Sequence, residues 1–284
     1  FEHCYSLHSL DLKHFNTDKV TDMSYMFSYC WNLTYLDISS FNTEEVISMS
    51  STFSHLASLK SLDLSKLKTN NVLDMSNMFS YSYNLISLDL SSFDTSKVTK
   101  MNDMFSHCLS LTSIDLSKFD TKNTLDMGNM FYSCMSLENL DVNVFNTEKV
   151  TKMTSMFSEM FSLTSLDLSK FNTKNVEEME YMFDSDYALE TLNINNFDTS
   201  QVTNMAGMFN KCYKLTSLDL KSFNTSKVWN MNFMFNQCYK LEELNLVSFN
   251  TENCVNLLDI FGELNNTKIK VQNRTDCSNL ISEI

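Results

Sequence analysis

Residues 163–188 read LTSLDLSKFNTKNVEEMEYMFDSDYA, and this 26-residue unit recurs along nearly the whole chain. Leu7, Leu33, Leu59, Leu85, Leu111, Leu137, Leu163, Leu189, Leu215 and Leu241 open ten copies, spaced 26 residues apart without a slip. Each copy has two parts. In the first, Leu163, Leu166 and Leu168 flank Asp167, so the fourth and sixth positions share one face and the Asp takes the other, the period of a strand. In the second, apolar residues fall three or four apart, as Val20, Met23, Met26, Phe27 and Cys30 do, and this spacing predicts a short helix. Between the parts stands Phe-Asn/Asp-Thr, as in Phe15-Asn16-Thr17 and Phe93-Asp94-Thr95.

A unit this short cannot bury its own apolar face, so each copy needs a neighbour on both sides. The expected fold class is therefore α/β: a right-handed, leucine-rich-repeat-like solenoid of about ten coils, each with a short parallel strand and a short helix. Stacked at about 4.8 Å, the strands would line a body on the order of 50 Å long. The solenoid is expected over residues 1–263. A C-terminal cap is expected over 264–284, where Lys268-Ile269-Lys270-Val271 alternates like a last strand. The chain starts at Phe1 in mid-repeat, which reads as an excised or processed piece.

Composition agrees with a coil built without the usual turn formers. There are three Gly and no Pro among 284 residues, against 19 Met and 22 Phe. Turns must then come from Asn, Asp, Ser and Thr, whose side chains bond nearby backbone groups. The flexible Met thioethers suit gaps between coils and are read as core. A formal charge of −14 disfavours nucleic acid and anionic membrane surfaces, both of which select clustered Lys and Arg. No run approaches the roughly 18 apolar residues of a membrane helix, so no insertion of this segment is expected.

The run L-x-x-L-D-L-S-x-F-[ND]-T-x-x-V-x-x-M-x-x-M-F-x-x-C closely resembles the repeat of BspA-like leucine-rich surface proteins and the related mycoplasma lipoprotein repeat. The resemblance covers residues 1 to about 263. It departs at Leu67 in place of Phe, at Thr124 and Cys254 in place of Val, and at Thr52 and Ile260 in place of the second Met. It implies display on a cell or secretion, and adhesion to host or neighbouring-cell proteins.

Three columns of equivalent positions are candidates for function. Asp11, Asp37, Asp63, Asp89, Asp115, Asp141, Asp167 and Asp219 form an outward acidic ladder, with Asn193 and Asn245 in the same register. Carboxylates about 5 Å apart in water repel by roughly 0.8 kcal/mol, and hydrogen bonds from Ser and Thr, counterions or a basic partner could offset this. The ladder reads either as a backbone-tied structural feature or as a recognition face. Calcium wants six to eight oxygens in a cage, which a flat ladder does not offer. The second column is aromatic: Tyr5, Trp31, Tyr83, Phe161, Tyr187, Tyr213 and Tyr239, interrupted by Ala57, Leu109 and Met135. It reads either as packing over a corner or as an anchor for protein or sugar.

The third column holds Cys4, Cys30, Cys108, Cys134, Cys212 and Cys238, three doublets on adjacent coils. Disulfides within each doublet and buried free thiols are both open, and Cys254 with Cys277 could form a further bridge. No C-x-x-C occurs, so zinc is not expected. His3, His55 and His107 share one repeat position, a pattern and not a triad. No catalytic constellation stands out, and neither an enzyme nor a cofactor is expected. The function expected is a cell-surface or secreted binding and adhesion module for a protein or glycan. The alternative is a self-assembling stalk, sheath or filament element.

Overall fold

The computed structural model describes residues 1–271 together with Leu280 and Ser282. Residues one repeat apart lie side by side. A column of parallel bridges joins Asp22 to Ser48, Ser48 to Asp74, and so on in steps of one coil to Asn230 and Asn256. Four short strands occur among the described residues: β1 (Ser165–Asp167), β2 (Thr191–Asn193), β3 (Glu243–Leu246) and β4 (Lys268–Val271). β1 pairs in parallel with β2, placing Leu166 opposite Leu192, and β3 pairs in parallel with β4, placing Leu244 opposite Ile269. The strand expected at 268–271 thus forms. Most of the segment expected to cap the stack, including Cys277, lies outside the described residues.

The core fills the inside of every coil. In the copy at 163–188, Leu163, Leu166, Leu168, Phe171, Val176, Met179, Met182 and Phe183 are all buried, and Asp167 between the leucines is exposed. Repetition turns each position into a column. Phe27, Phe53, Phe79, Phe105, Phe131, Phe157, Phe183, Phe209 and Phe235 stack ring on ring at centroid distances of 5.7–5.9 Å. Offset stacks at this spacing add to the area they bury, which suits Phe at a position that meets its own copy above and below.

The second half of the coil corrects the sequence reading, because no helix occurs up to Val271. Its backbone instead runs as overlapping tight turns. Met130, Tyr132 and Cys134 donate their N–H to the carbonyls of Met127, Asn129 and Phe131, three residues back. The intervening Met127, Asn129, Phe131 and Ser133 donate outward, to Lys152, Thr154, Met156 and Ser158 of the next coil, at 2.8–3.1 Å. A helix would use these donors within its own segment and leave the neighbouring coil unbonded. The first and last of these turns have positive φ at the third residue, Asn129 (55°) and Ser133 (57°), and the same two places repeat it in coil after coil. Gly207 fills one such place (φ 60°), where a Cβ would lie 2.4 Å from the Tyr181 ring.

Polar side chains replace Gly and Pro at the other bends, as composition suggests. Asx turns recur at Asp94 and Asp120, whose Oδ1 accepts the N–H two residues on. The Thr after each Asn or Asp does something different. Thr121 Oγ1 accepts the Asn146 N–H at 2.8 Å and donates to the Asn146 carbonyl at 2.9 Å, stapling one coil to the next. The same double bond runs from Thr17 through Thr225, each hydroxyl reaching residue i+25. These threonines are buried, and without the hydroxyl both backbone groups would stay unsatisfied.

Candidate binding surface

The acidic ladder sits on the outer face of the leucine wall and is tied to the backbone. In Asp11, Asp37, Asp63, Asp89, Asp115, Asp141, Asp167 and Asp219, one carboxylate oxygen accepts the N–H two residues on, at 2.9–3.2 Å. Asn245 closes the same turn, and Asn193 donates to Asp167 at 2.9 Å. Hydrogen bonds from the following serines hold Asp37 and Asp89 below the ordinary carboxylate value. The same holds for Asp63, Asp115 and Asp167, where the Ser backbone N–H acts first. The like charge of the adjacent Asp pushes the other way at Asp63 and Asp89 and loses. Serine donors thus answer the repulsion at Asp37, Asp63, Asp89, Asp115 and Asp167.

The aromatic column divides into two unlike stretches. Phe161, Tyr187, Tyr213 and Tyr239 form a continuous half-buried stack with centroids 4.6, 4.7 and 5.1 Å apart. Near the N-terminus, Tyr5 and Trp31 meet at 4.9 Å, tilted by 47°, and Ala57 separates them from Tyr83. These three are exposed, as are Tyr25 and Tyr35 elsewhere on the first coils, Tyr35 at 65%.

A second ring column lies beside this stretch, and the sequence reading missed half of it. His3, Tyr29, His55, Tyr81 and His107 stack alternately, with centroids 4.6, 3.9, 4.5 and 4.1 Å apart. The histidines stand two coils apart, and Tyr29 and Tyr81 occupy the coils between. Reading the repeat down its columns would have shown the alternation. All five have positive φ, since they sit at the left-handed position of the second tight turn. Burial holds the His55 and His107 imidazoles below their ordinary value of 6.5, favouring the neutral ring. His107 Nδ1 bonds Ser106 Oγ at 2.9 Å, whereas His55 Nδ1 is buried without a partner. Over this column, where Ala57 interrupts the outer rings, opens a cavity of about 420 Å³ lined by Trp31, His55, Ala57, Ser58, Tyr81 and Tyr83, with Asn32.

Cys4, Cys30, Cys108, Cys134, Cys212 and Cys238 are free thiols, and the doublets are not bridged. The Sγ of Cys30, Cys108, Cys134, Cys212 and Cys238 donates at 3.0–3.3 Å to the carbonyl of Phe1, Phe79, Phe105, Phe183 and Phe209 on the preceding coil. In the same column Ser82 Oγ does this for Phe53 at 2.9 Å, so the position takes a small side chain able to donate. Burial pushes the Cys108 and Cys238 thiols up to about 12, which leaves them protonated and inert. Cys254 is buried, and its suggested partner Cys277 lies outside the described residues.

Among the described residues no group of three or more His, Cys, Asp or Glu is placed to hold a metal ion, and no helix is long and apolar enough to cross a membrane.

No curated protein matches the chain. Similar solved structures include a leucine rich cell surface protein from Faecalibacterium prausnitzii, 17% identical, covering 94% of this chain and 81% of that one at a TM-score of 0.40. A leucine-rich repeat protein from Bacteroides ovatus is 15% identical over 96% and 79% of the two chains, with a TM-score of 0.42. The T. pallidum leucine rich repeat protein is 18% identical over 72% and 75%, with a TM-score of 0.37. The family described as "Mycoplasma protein of unknown function, DUF285" matches residues 1–87, 59–166 and 156–274, nearly the whole length, and the chain belongs to that family.

Proposed function

We propose that the chain is a non-enzymatic binding module, displayed on or outside the cell, that recognises a protein through the aromatic edge of its first coils. One observation carries this reading. Tyr5, Trp31 and Tyr83 are exposed on the first coils, with Tyr25 and Tyr35 also exposed there, whereas the rings of the same column further on, Phe161, Tyr187, Tyr213 and Tyr239, lie half-buried against one another. Exposed rings gathered in one zone of a rigid scaffold supply large contact area at little entropic cost, the chemistry of a protein-binding hot spot. The acidic ladder along the leucine wall would favour a basic partner surface and speed encounter with it.

Display outside the cell is supported by the resemblance of the repeat to surface proteins. The cysteines add nothing to it, since buried protonated thiols suit any compartment.

The test is retention of target cells or purified surface proteins on the immobilised chain. Replacing Trp31, Tyr35 and Tyr83 together by Ser should abolish retention, while Tyr181→Ser with Trp229→Ser should leave it intact. Retention unaffected by the first set sinks the proposal. Retention lost only on stripping glycans from the target shifts recognition to sugar, and chain-on-chain assembly without retention favours a structural element.

A further inference from the structure

We propose that the break in the aromatic column at Ala57 is a slot for one planar aromatic ring bearing a hydrogen-bond donor, the phenol or indole of a partner's side chain. The inference rests on the protein-binding reading and names the chemistry of the contact.

The chain carries its own template for the filled site. Tyr187 lies between Phe161 and Tyr213, one coil from each, at 4.6 and 4.7 Å, with ring planes within 13° and 4°. Two coil steps therefore leave room for one ring between two others, at the separation where stacked rings attract. Trp31 and Tyr83 are also two coils apart, and the residue between them is Ala57, a single methyl group. The other breaks hold Leu109 and Met135, side chains with bulk of their own. At Ala57 the space stays open as the 420 Å³ cavity, floored by His55 and Tyr81.

The polar groups there suit a donor on the guest. Ser58 brings a hydroxyl. Asn32 uses its Nδ2 on the Tyr5 carbonyl at 2.7 Å, which leaves its Oδ1 as an acceptor. A bare hydrocarbon ring would leave these groups without partners, whereas a phenol O–H or indole N–H can donate to one of them.

Trp31 reports on its own slot. The chain has two tryptophans, so Trp229→Phe leaves Trp31 alone. Titrating that variant with p-cresol or N-acetyl-tyrosinamide should give a saturable change in tryptophan emission. Adding Ala57→Tyr should raise the thermal midpoint by completing the column and weaken the probe by at least about tenfold. Tyr83→Leu, which copies Leu109 one coil on, should weaken the probe comparably, and it decides alone if Ala57→Tyr fails to fold. The slot is refuted by an unsaturable response, by equal affinity in both variants, or by a response to methyl glucoside without one to p-cresol. Loss of the slot with cell retention intact would overturn this inference and spare the wider reading. Loss of retention in the Trp31, Tyr35 and Tyr83 variant with probe binding intact in Ala57→Tyr would do the same.

Discussion

The leucine wall and the methionine–phenylalanine wall of each coil bury equally regular side chains, yet they hold the stack together differently. On the leucine wall the bonds between coils are sparse. Among the described residues strands form only at 165–167, 191–193, 243–246 and 268–271, and elsewhere single contacts such as Thr112 N–H to Ile86 carbonyl at 3.3 Å remain. On the opposite wall every second residue from Met127 to Ser133 bonds the next coil. The lesson is that side-chain regularity and backbone connectivity are separate properties of a repeat. The wall that looks like a strand contributes mostly packing, and the wall that looks like a helix supplies the ladder.

Substitutions on the two walls should separate these contributions. The largest effect is expected from Phe131→Ala, which breaks the central ring column at a fully buried place and should cost about 3–5 kcal/mol in urea denaturation. Leu140→Ala, half-buried on the other wall, should cost about half as much. Equal losses would show that depth of burial does not set what each side chain contributes. Next comes the backbone. Asn129→Pro removes the N–H bonded to the Thr154 carbonyl at 2.8 Å and cannot adopt φ 55°, so a loss of about 3 kcal/mol or more is expected. Asn139→Pro, on the exposed leucine wall where no such coil-to-coil bond is made, should cost under about 1 kcal/mol. A reversed order would place the ladder on the wrong wall.

Thr121→Val should cost about 2 kcal/mol, since the N–H and carbonyl of Asn146 both lose their buried partner. Thr121→Ser should recover most of that, and if Val proves harmless the staple has no energetic role.

The smallest effects are those of acid. His55 and His107 have lowered values in the fold, so the unfolded chain binds protons first as pH falls. Their contribution is whole above 6.5 and declines below it. The ladder aspartates with lowered values, such as Asp63 and Asp115, act the same way further down, whole above 3.8 and lost below it. Thermal midpoints across pH should therefore fall in two steps, and His55→Phe should shrink the upper one. A midpoint flat from 6.5 down to 3.8 would contradict the buried neutral histidines.

Residue spacing alone sets the coil length, the column each residue belongs to, the inward Leu, Met and Phe sets and the outward Asp. It also determined that polar side chains make the turns. All of these follow from spacing along one chain, because a 26-residue period maps position directly onto face. The choice between helix and tight turns at Val-x-x-Met-x-x-Met-Phe is made by the packing of coil on coil, since an inward residue every three or four positions satisfies both, and the outcome depends on whether the N–H groups find carbonyls within the segment or on the next coil. The same cause hid the Thr staples, the thiol-to-carbonyl bonds, the His–Tyr stack and the opening at Ala57. Each of these is a relation between coils, and a single repeat, read alone, contains only one of its two partners.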